Sequence, residues 1–318
     1  MRDPLPACAR SIAYLLLLLH ASVCASACAG KRPFELPART EVPRHPCADW
    51  GVAECERACN EEADGGACMV ASLAHGQGLG GPEDRASMQA FEQRACELGV
   101  ALGCEYFANN FFRSEDPDEL DVAREHYDRA CLGGRANACW SAGILALRLD
   151  ADGEPKDPRA AFERYQQACD GGEPLACATV GDLLTFGIGT RADPQAAAAS
   201  FRKACDGNIP AGCHNAEPHA EHWLTGAVSV LLEPLHAPDP AFSIANAPSG
   251  WHAEMVTRTC FTHASIEPVS VHLVESSGQP SVDAVVLGTL HGWRYRARPG
   301  WTFEQPVCLP NVFGIRKP

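Results

Sequence analysis

Cys96-ELGVALG-Cys104, Cys131-LGGRANA-Cys139, Cys169-DGGEPLA-Cys177 and Cys205-DGNIPAG-Cys213 are four copies of one phrase, each enclosing seven residues. Their first cysteines lie 35, 38 and 36 positions apart. A looser copy, Cys59-NEEADGGA-Cys68, begins 37 residues before Cys96, and Cys47-ADWGVAE-Cys55 again encloses seven residues. A fixed period with a fixed inner spacing is the signature of a repeat architecture.

Each repeat parses as two helices. Asp157 suits an N-cap and Pro158 the first helical position. Ala161, Phe162, Tyr165, Ala168 and Cys169 then recur at helical spacing and form one apolar face. Asp170-Gly171-Gly172 ends that helix, because glycine accepts the left-handed conformation of a C-terminus. A second helix carries Cys177, Val180, Gly181 and Leu184, ends near Phe186, and the next unit restarts at Asp193-Pro194. Ser72, Ala108, Gly143 and Gly181 each lie four residues after a second cysteine, and small residues there permit close helix approach. The unit is an αα-hairpin whose cysteine pair crosses its turn. By the chain-entropy model a nine-residue loop contributes about 2.5 kcal/mol per bridge. The cysteines are expected to be structural staples.

The 318 residues include seventeen cysteines, which point to an oxidising compartment. A net charge of −14 argues against nucleic acid or an anionic membrane surface as partner. Arg2 and Arg10 flank a short n-region, an apolar run from Ile12 to Leu19 comes next, and Ala25-Ser26-Ala27-Cys28 follows, which together read as a secretory leader. That run is shorter than the roughly 20 residues a membrane-spanning helix needs. The residues around Cys28 fit both a lipoprotein cleavage box and an A-x-A rule. Acylation of Cys28 would leave fourteen cysteines, an even number able to pair completely. The expected compartment is the periplasm or outer membrane, or the exterior if the chain is released. Residues 29–46 are rich in proline and charge and read as a tether.

The Ala-Cys-x-x-Gly phrases (Ala95-Cys96, Ala130-Cys131, Ala168-Cys169), Ala204-Cys205, the second cysteines, and Gly76-x-Gly78 with Asp84 or Gly187-x-Gly189 with Asp193 resemble the Sel-like (SLR) repeats. The likeness is to the disulfide-stapled version found in Hcp-like cysteine-rich secreted proteins. It implies a helical solenoid over 47–215, and a rival activity as a β-lactamase or penicillin-binding hydrolase.

After Cys213 the composition changes. Residues 216–254 read as a linker, and 255–318 carry short β-rich runs. Val269, Val271 and Leu273 alternate as a strand facing a core, Ser276-Ser277-Gly278-Gln279 is a turn, and 281–292 fit a helix packed on the sheet. Trp293-Arg-Tyr295, Pro306-Val307 and Phe313-x-Ile315 complete a pattern that resembles the C-terminal domain of TonB-like energy transducers. That family also has an inner-membrane helix and a long proline-rich span not seen here, so energy transduction does not follow. Cys260 and Cys308 are expected to bridge two strands; a 49-residue loop contributes about 4 kcal/mol by the same model. The fold class is therefore α+β: a stapled all-α solenoid, then a small α+β domain.

Three patterns invite a chemical reading. Gly76-x-Gly78-x-x-Gly81 matches a dinucleotide fingerprint, but it lies between two helices rather than after a strand. Ser200-Phe-Arg-Lys203 matches the S-x-x-K of penicillin-recognising enzymes, without the accompanying S-D-N or K-T-G. Lys203 also occupies the place of Arg94 and Arg129 in sister repeats. His214, His219 and His222, with Glu217 and Glu221, form a metal-like cluster on what reads as an exposed linker. Trp293, Tyr295 and Trp301 suit either a peptide-contact surface or a core. No catalytic residue, cofactor or evolved metal centre is expected. The expectation is an envelope scaffold that binds a protein or peptide partner and meets a membrane only through Cys28; the pattern assigns no oligomeric state.

Overall fold

The structure, a computed structural model, describes residues 45–49, 51–79, 81–148, 155–237, 252–299 and 301–316. The leader, Cys28 and nearly all of the 29–46 tether lie outside them. The described residues divide into two compact units, one ending at Ala176 and one beginning at Cys177. The sequence suggested a division near 215 instead.

The first unit opens with a 3-10 turn at Pro46–Asp49 and continues with helices α1 (Val52–Glu61), α2 (Gly65–Gln77), α3 (Arg85–Glu97), α4 (Ala101–Asn109), α5 (Pro117–Leu132), α6 (Ala136–Leu147) and α7 (Pro158–Asp170). Helix α8 (Pro174–Phe186) straddles the division. The second unit then has α9 (Pro194–Asp206), α10 (Pro210–Asn215), β1 (His222–Trp223), a 3-10 segment (Gly226–Leu231), β2 (Leu232–His236), β3 (His252–Phe261), β4 (Ser270–Glu275), α11 (Pro280–His291), β5 (Arg294–Ala297) and β6 (Val307–Arg316). The chain is thus helix-rich with a small C-terminal sheet region.

Local chemistry accounts for the helix ends. Aspartate caps α2, α3, α5, α7 and α9 by accepting backbone N–H groups; Asp193 Oδ1, for instance, accepts from Gln195 and Ala196 at 3.1 and 3.0 Å. The turns repeat one geometry. The N–H groups of Val100, Arg135, Glu173 and Ile209 donate to the carbonyls of Ala95, Ala130, Ala168 and Ala204 at 2.9–3.1 Å. The residue before each donor has positive φ: Gly99, Gly134, Gly172, and Asn208 at 64°. That is the left-handed helix C-terminus, where glycine or asparagine is the least strained choice.

The recurring cysteines lie beside these turns. Cys96–Cys104, Cys131–Cys139 and Cys205–Cys213 join the last turn of one helix to the start of the next, with Cα separations of 4.4–4.5 Å. Cys47–Cys55, Cys59–Cys68 and Cys260–Cys308 are also bonded, and Cys169 and Cys177 are each in a disulfide. Fourteen bonded cysteines mark a chain that folds outside a reducing cytoplasm. Among the described residues no helix is long and apolar enough to cross a membrane.

Packing between hairpins follows a knob-on-gap rule. Tyr127, Tyr165 and Phe201 each lie four residues before a first cysteine and are at most 2% exposed. The rings of Tyr165 and Phe201 lie over Gly143 and Gly181; a Cβ on Gly181 would be 2.4 Å from Phe201 Cε1. Tyr127 shares a core cluster with Ala108. At the same position an earlier repeat has Glu92, buried and accepting from Ser72 Oγ at 3.3 Å and Asn110 Nδ2 at 2.8 Å. The small residues of the second helices are therefore gaps for aromatic knobs.

In the second unit the four-stranded sheet has the order β1-β6-β3-β4, and β2 pairs β5 separately. β3 runs antiparallel to both β6 and β4, while β1 is parallel to β6 through His222–Val307 and Trp223–Cys308. Two expectations need correction. The span 216–254 is more than a linker, since it contributes β1, the 3-10 segment and β2. β4 is an edge strand, and Leu273 and Val269 are exposed at 41% and 49% rather than buried. Its neighbour β3 takes the interior place, with Met255, Cys260 and Phe261 fully buried.

Candidate functional site

The histidine-rich segment does not converge. His222, placed by β1, points inward: its Nε2–H donates to Asp182 Oδ1 at 2.7 Å, and its ring stands edge-on to Phe186 and Phe201 at 5.1 and 5.6 Å. Asp182 is fully buried, and its Oδ2 accepts from Thr225 N and Oγ1, both at 2.7 Å. Buried charge needs such a saturated shell. Asn215 adds a second tie from the end of α10, donating to Trp223 O at 2.8 Å and accepting from Trp223 N at 3.0 Å. His222 therefore holds β1 against α8, rather than lying on the exposed linker the sequence suggested.

His214 and His219 go elsewhere. They stack at 4.0 Å, His214 stacks on Trp223 at 3.8 Å, and the Arg258 guanidinium lies 3.1 Å from the Trp223 ring centroid. His214 Nε2–H donates to the Glu221 carbonyl at 2.9 Å, so that nitrogen is occupied. Burial holds the His214 imidazole below its usual value, partly opposed by this hydrogen bond. A different donor group forms around Glu221, whose carboxylate lies 3.6 Å from His272 Nε2 and within reach of Cys260. Cys260 is bonded to Cys308, so its sulfur is no thiolate, and Glu221 and His272 remain as two ligands.

The S-x-x-K pair lies on α9. Ser200 Oγ–H donates to Ala196 O at 3.0 Å, satisfying its hydroxyl on its own helix, and Lys203 lies on the exposed last turn. Gly78 is the left-handed C-cap of α2, donating to Ala74 and His75 carbonyls, so Gly76-x-Gly78 is an inter-helix turn rather than a phosphate cradle. Trp293 and Tyr295 are 8% and 9% exposed, ring centroids 5.8 Å apart, and Tyr295 packs on Phe261; they serve the core.

The remaining candidate is the β4 edge. β4 pairs with β3 on one side, and among the described residues no strand covers the other. His272, Leu273, Val274 and Glu275 are all exposed. Edge strands carry free N–H and C=O groups and are ordinarily blunted by lysine, proline or cover. This one holds apolar side chains instead. α11 packs behind it, and Asp283 of α11 accepts from Ser277 N at 3.0 Å and from the Ser276 and Ser277 hydroxyls, fixing the turn that follows β4.

Neither Asp182 nor the β4 edge was identified from sequence. Asp182 carries a signal, a lone charge between Gly181 and Leu183 on an apolar face, but its partner lies forty residues away. For β4 no signal exists, because alternation looks alike in edge and core strands.

No family model matches the chain, and no curated protein matches it. Similar solved structures include two helical-repeat proteins. A protective antigen of uropathogenic Escherichia coli displaying an SLR fold is 23% identical, with 51% of this chain and 34% of that one covered and a TM-score of 0.41. A Sel1 repeat protein from Oxalobacter formigenes is 19% identical, with 51% and 68% covered and a TM-score of 0.42. This chain thus spans about a third of the length of the first. At these scores the helical-repeat description rests on the chain's own hairpins.

Proposed function

We propose that the chain is an exported, non-enzymatic scaffold of the bacterial cell envelope. It binds protein or peptide partners through its helical-repeat surface and through a C-terminal domain of TonB-like kind. The observation that carries this is the open β4 edge with Leu273 and Val274 exposed. An extended partner segment adds to such an edge by main-chain hydrogen bonds, and apolar side chains select it. The β4–α11–β5 order, with the Ser276-Ser277-Gly278 turn between β4 and α11, supports the TonB-like reading. The leader and Cys28 direct the chain to the periplasm or outer membrane, anchored if Cys28 is acylated.

The test is affinity capture from an envelope fraction with the mature chain and with Leu273→Lys. A partner retained by the former and lost by the latter supports the proposal; no retained partner at low salt counts against it. Nitrocefin turnover by the pure protein, abolished in Ser200→Ala, would replace this reading with a hydrolase.

A further inference from the structure

Among the described residues nine large hydrophobic side chains are exposed, and five of them (Ile266, Val269, Leu273, Val274 and Val285) fall within one stretch around β4. That stretch lies in a locally neutral part of an acidic chain: residues 252–316 contain five arginines and five carboxylates, against −14 for the whole. Long-range repulsion is therefore weakest where the apolar edge is open.

β4 is also complementary to itself. Its register against β3 shifts between Val256 and Thr257, so His272 pairs with Arg258 and Glu275 pairs with Val256. Those two β3 residues are two apart, which puts His272 and Glu275 on the same sheet face. Without the bulge, three residues of separation would place them on opposite faces. A two-fold axis normal to the sheet, passing near Leu273 and Val274, runs a second β4 antiparallel to the first. It sets apolar side chains against apolar side chains and brings His272 of each copy toward Glu275 of the other. On the inner side His272 Nε2 lies 3.0 Å from Ser270 Oγ and 3.6 Å from a Glu221 carboxylate oxygen, and the residue is exposed.

We propose that β4 is a homodimerisation edge, pairing antiparallel with β4 of a second copy to make one continuous eight-stranded sheet from two four-stranded ones. This rests on the reading of β4 as an interaction edge and names its occupant. Such an interface is isologous: the same patch serves both copies, and both His272–Glu275 contacts form together.

Sedimentation equilibrium on the mature full-length chain tests it, with circular dichroism confirming that each variant is folded. The wild type is expected to approach twice the monomer mass as concentration rises. Leu273→Lys and Glu275→Arg should remain at monomer mass, and the charge-exchanged pair His272→Glu with Glu275→Arg should restore the doubling. Amide exchange in β4 should slow with concentration in the wild type alone. A wild type that stays monomeric throughout, or a Leu273→Lys variant that still doubles, overturns the proposal. If the wild type is monomeric while Leu273→Lys still loses a captured envelope partner, the second-copy assignment falls and the interaction-edge reading stands. If β4 variants change neither mass nor capture, both fall.

Discussion

Gly181→Ala adds one methyl group at the tightest knob-on-gap contact. The new Cβ would lie 2.4 Å from Phe201 Cε1 and 2.6 Å from Cδ1 and Cζ, where carbon pairs ordinarily settle near 3.5–4.0 Å. Phe201 is 2% exposed, and its ring also meets His222 at 5.6 Å, so it has little room to retreat by the roughly 1 Å required. Overpacking of this kind costs about 1–3 kcal/mol. Alanine returns about 1 kcal/mol of helix propensity relative to glycine. The net expectation is a loss of about 1 kcal/mol, up to about 2. Gly143→Ala is the matched control: its Cβ would lie 3.0 Å from the Tyr165 ring, so the same propensity gain should nearly cancel a smaller clash. Urea unfolding with disulfides intact, followed by circular dichroism, measures both. Phe201→Leu combined with Gly181→Ala should be less destabilised than the sum of the two single changes, because the smaller side chain vacates the contact. A Gly181→Ala protein as stable as the wild type would refute the reasoning.

Asp182→Ala strands the Thr225 N–H and hydroxyl and the His222 N–H without their acceptor, which should lower stability by about 3 kcal/mol in the same urea experiment. Replacing Cys131 and Cys139 together by alanine should remove about 2–3 kcal/mol, read as a shifted midpoint with unchanged far-ultraviolet dichroism. Asp64, the cap of α2, is held below the usual carboxyl range chiefly by the Ala67 N–H, with His45 and Gly66 assisting against the opposing effect of burial. A lowered folded value means that this stabilisation is present above the unfolded value, about pH 4, and disappears as pH falls through the folded one. The stability gap between wild type and Asp64→Ala should accordingly narrow below about pH 4 and stay level above it.

The hairpins were legible because their determinants are local. A cap such as Asp193, a turn such as Gly171-Gly172 and an aromatic such as Tyr165 four residues before a cysteine all act within one period. The second unit was less legible because its determinants are not. β1 finds β6 across more than eighty residues, and Asp182 meets His222 across forty. The alternation of Val269, Val271 and Leu273 identified a strand but carried no information on its place in the sheet. That place is decided by β3, whose other neighbour β6 leaves β4 outermost. The same logic separated the histidines: one residue of offset in β1 turns His222 inward while Trp223 stacks with His214 and Arg258.

The central claim is that the cysteine phrases are staples across helix turns, leaving the chain's chemistry to its surfaces. Peptide mapping of the exported protein by mass spectrometry without reduction tests it most directly. The account predicts no free thiol from Cys47 to Cys308, with bonds Cys47–Cys55, Cys59–Cys68, Cys96–Cys104, Cys131–Cys139, Cys205–Cys213 and Cys260–Cys308, and Cys169 and Cys177 both oxidised. Free or metal-bound thiols in the phrases, or bonds that run between phrases rather than within them, would contradict it.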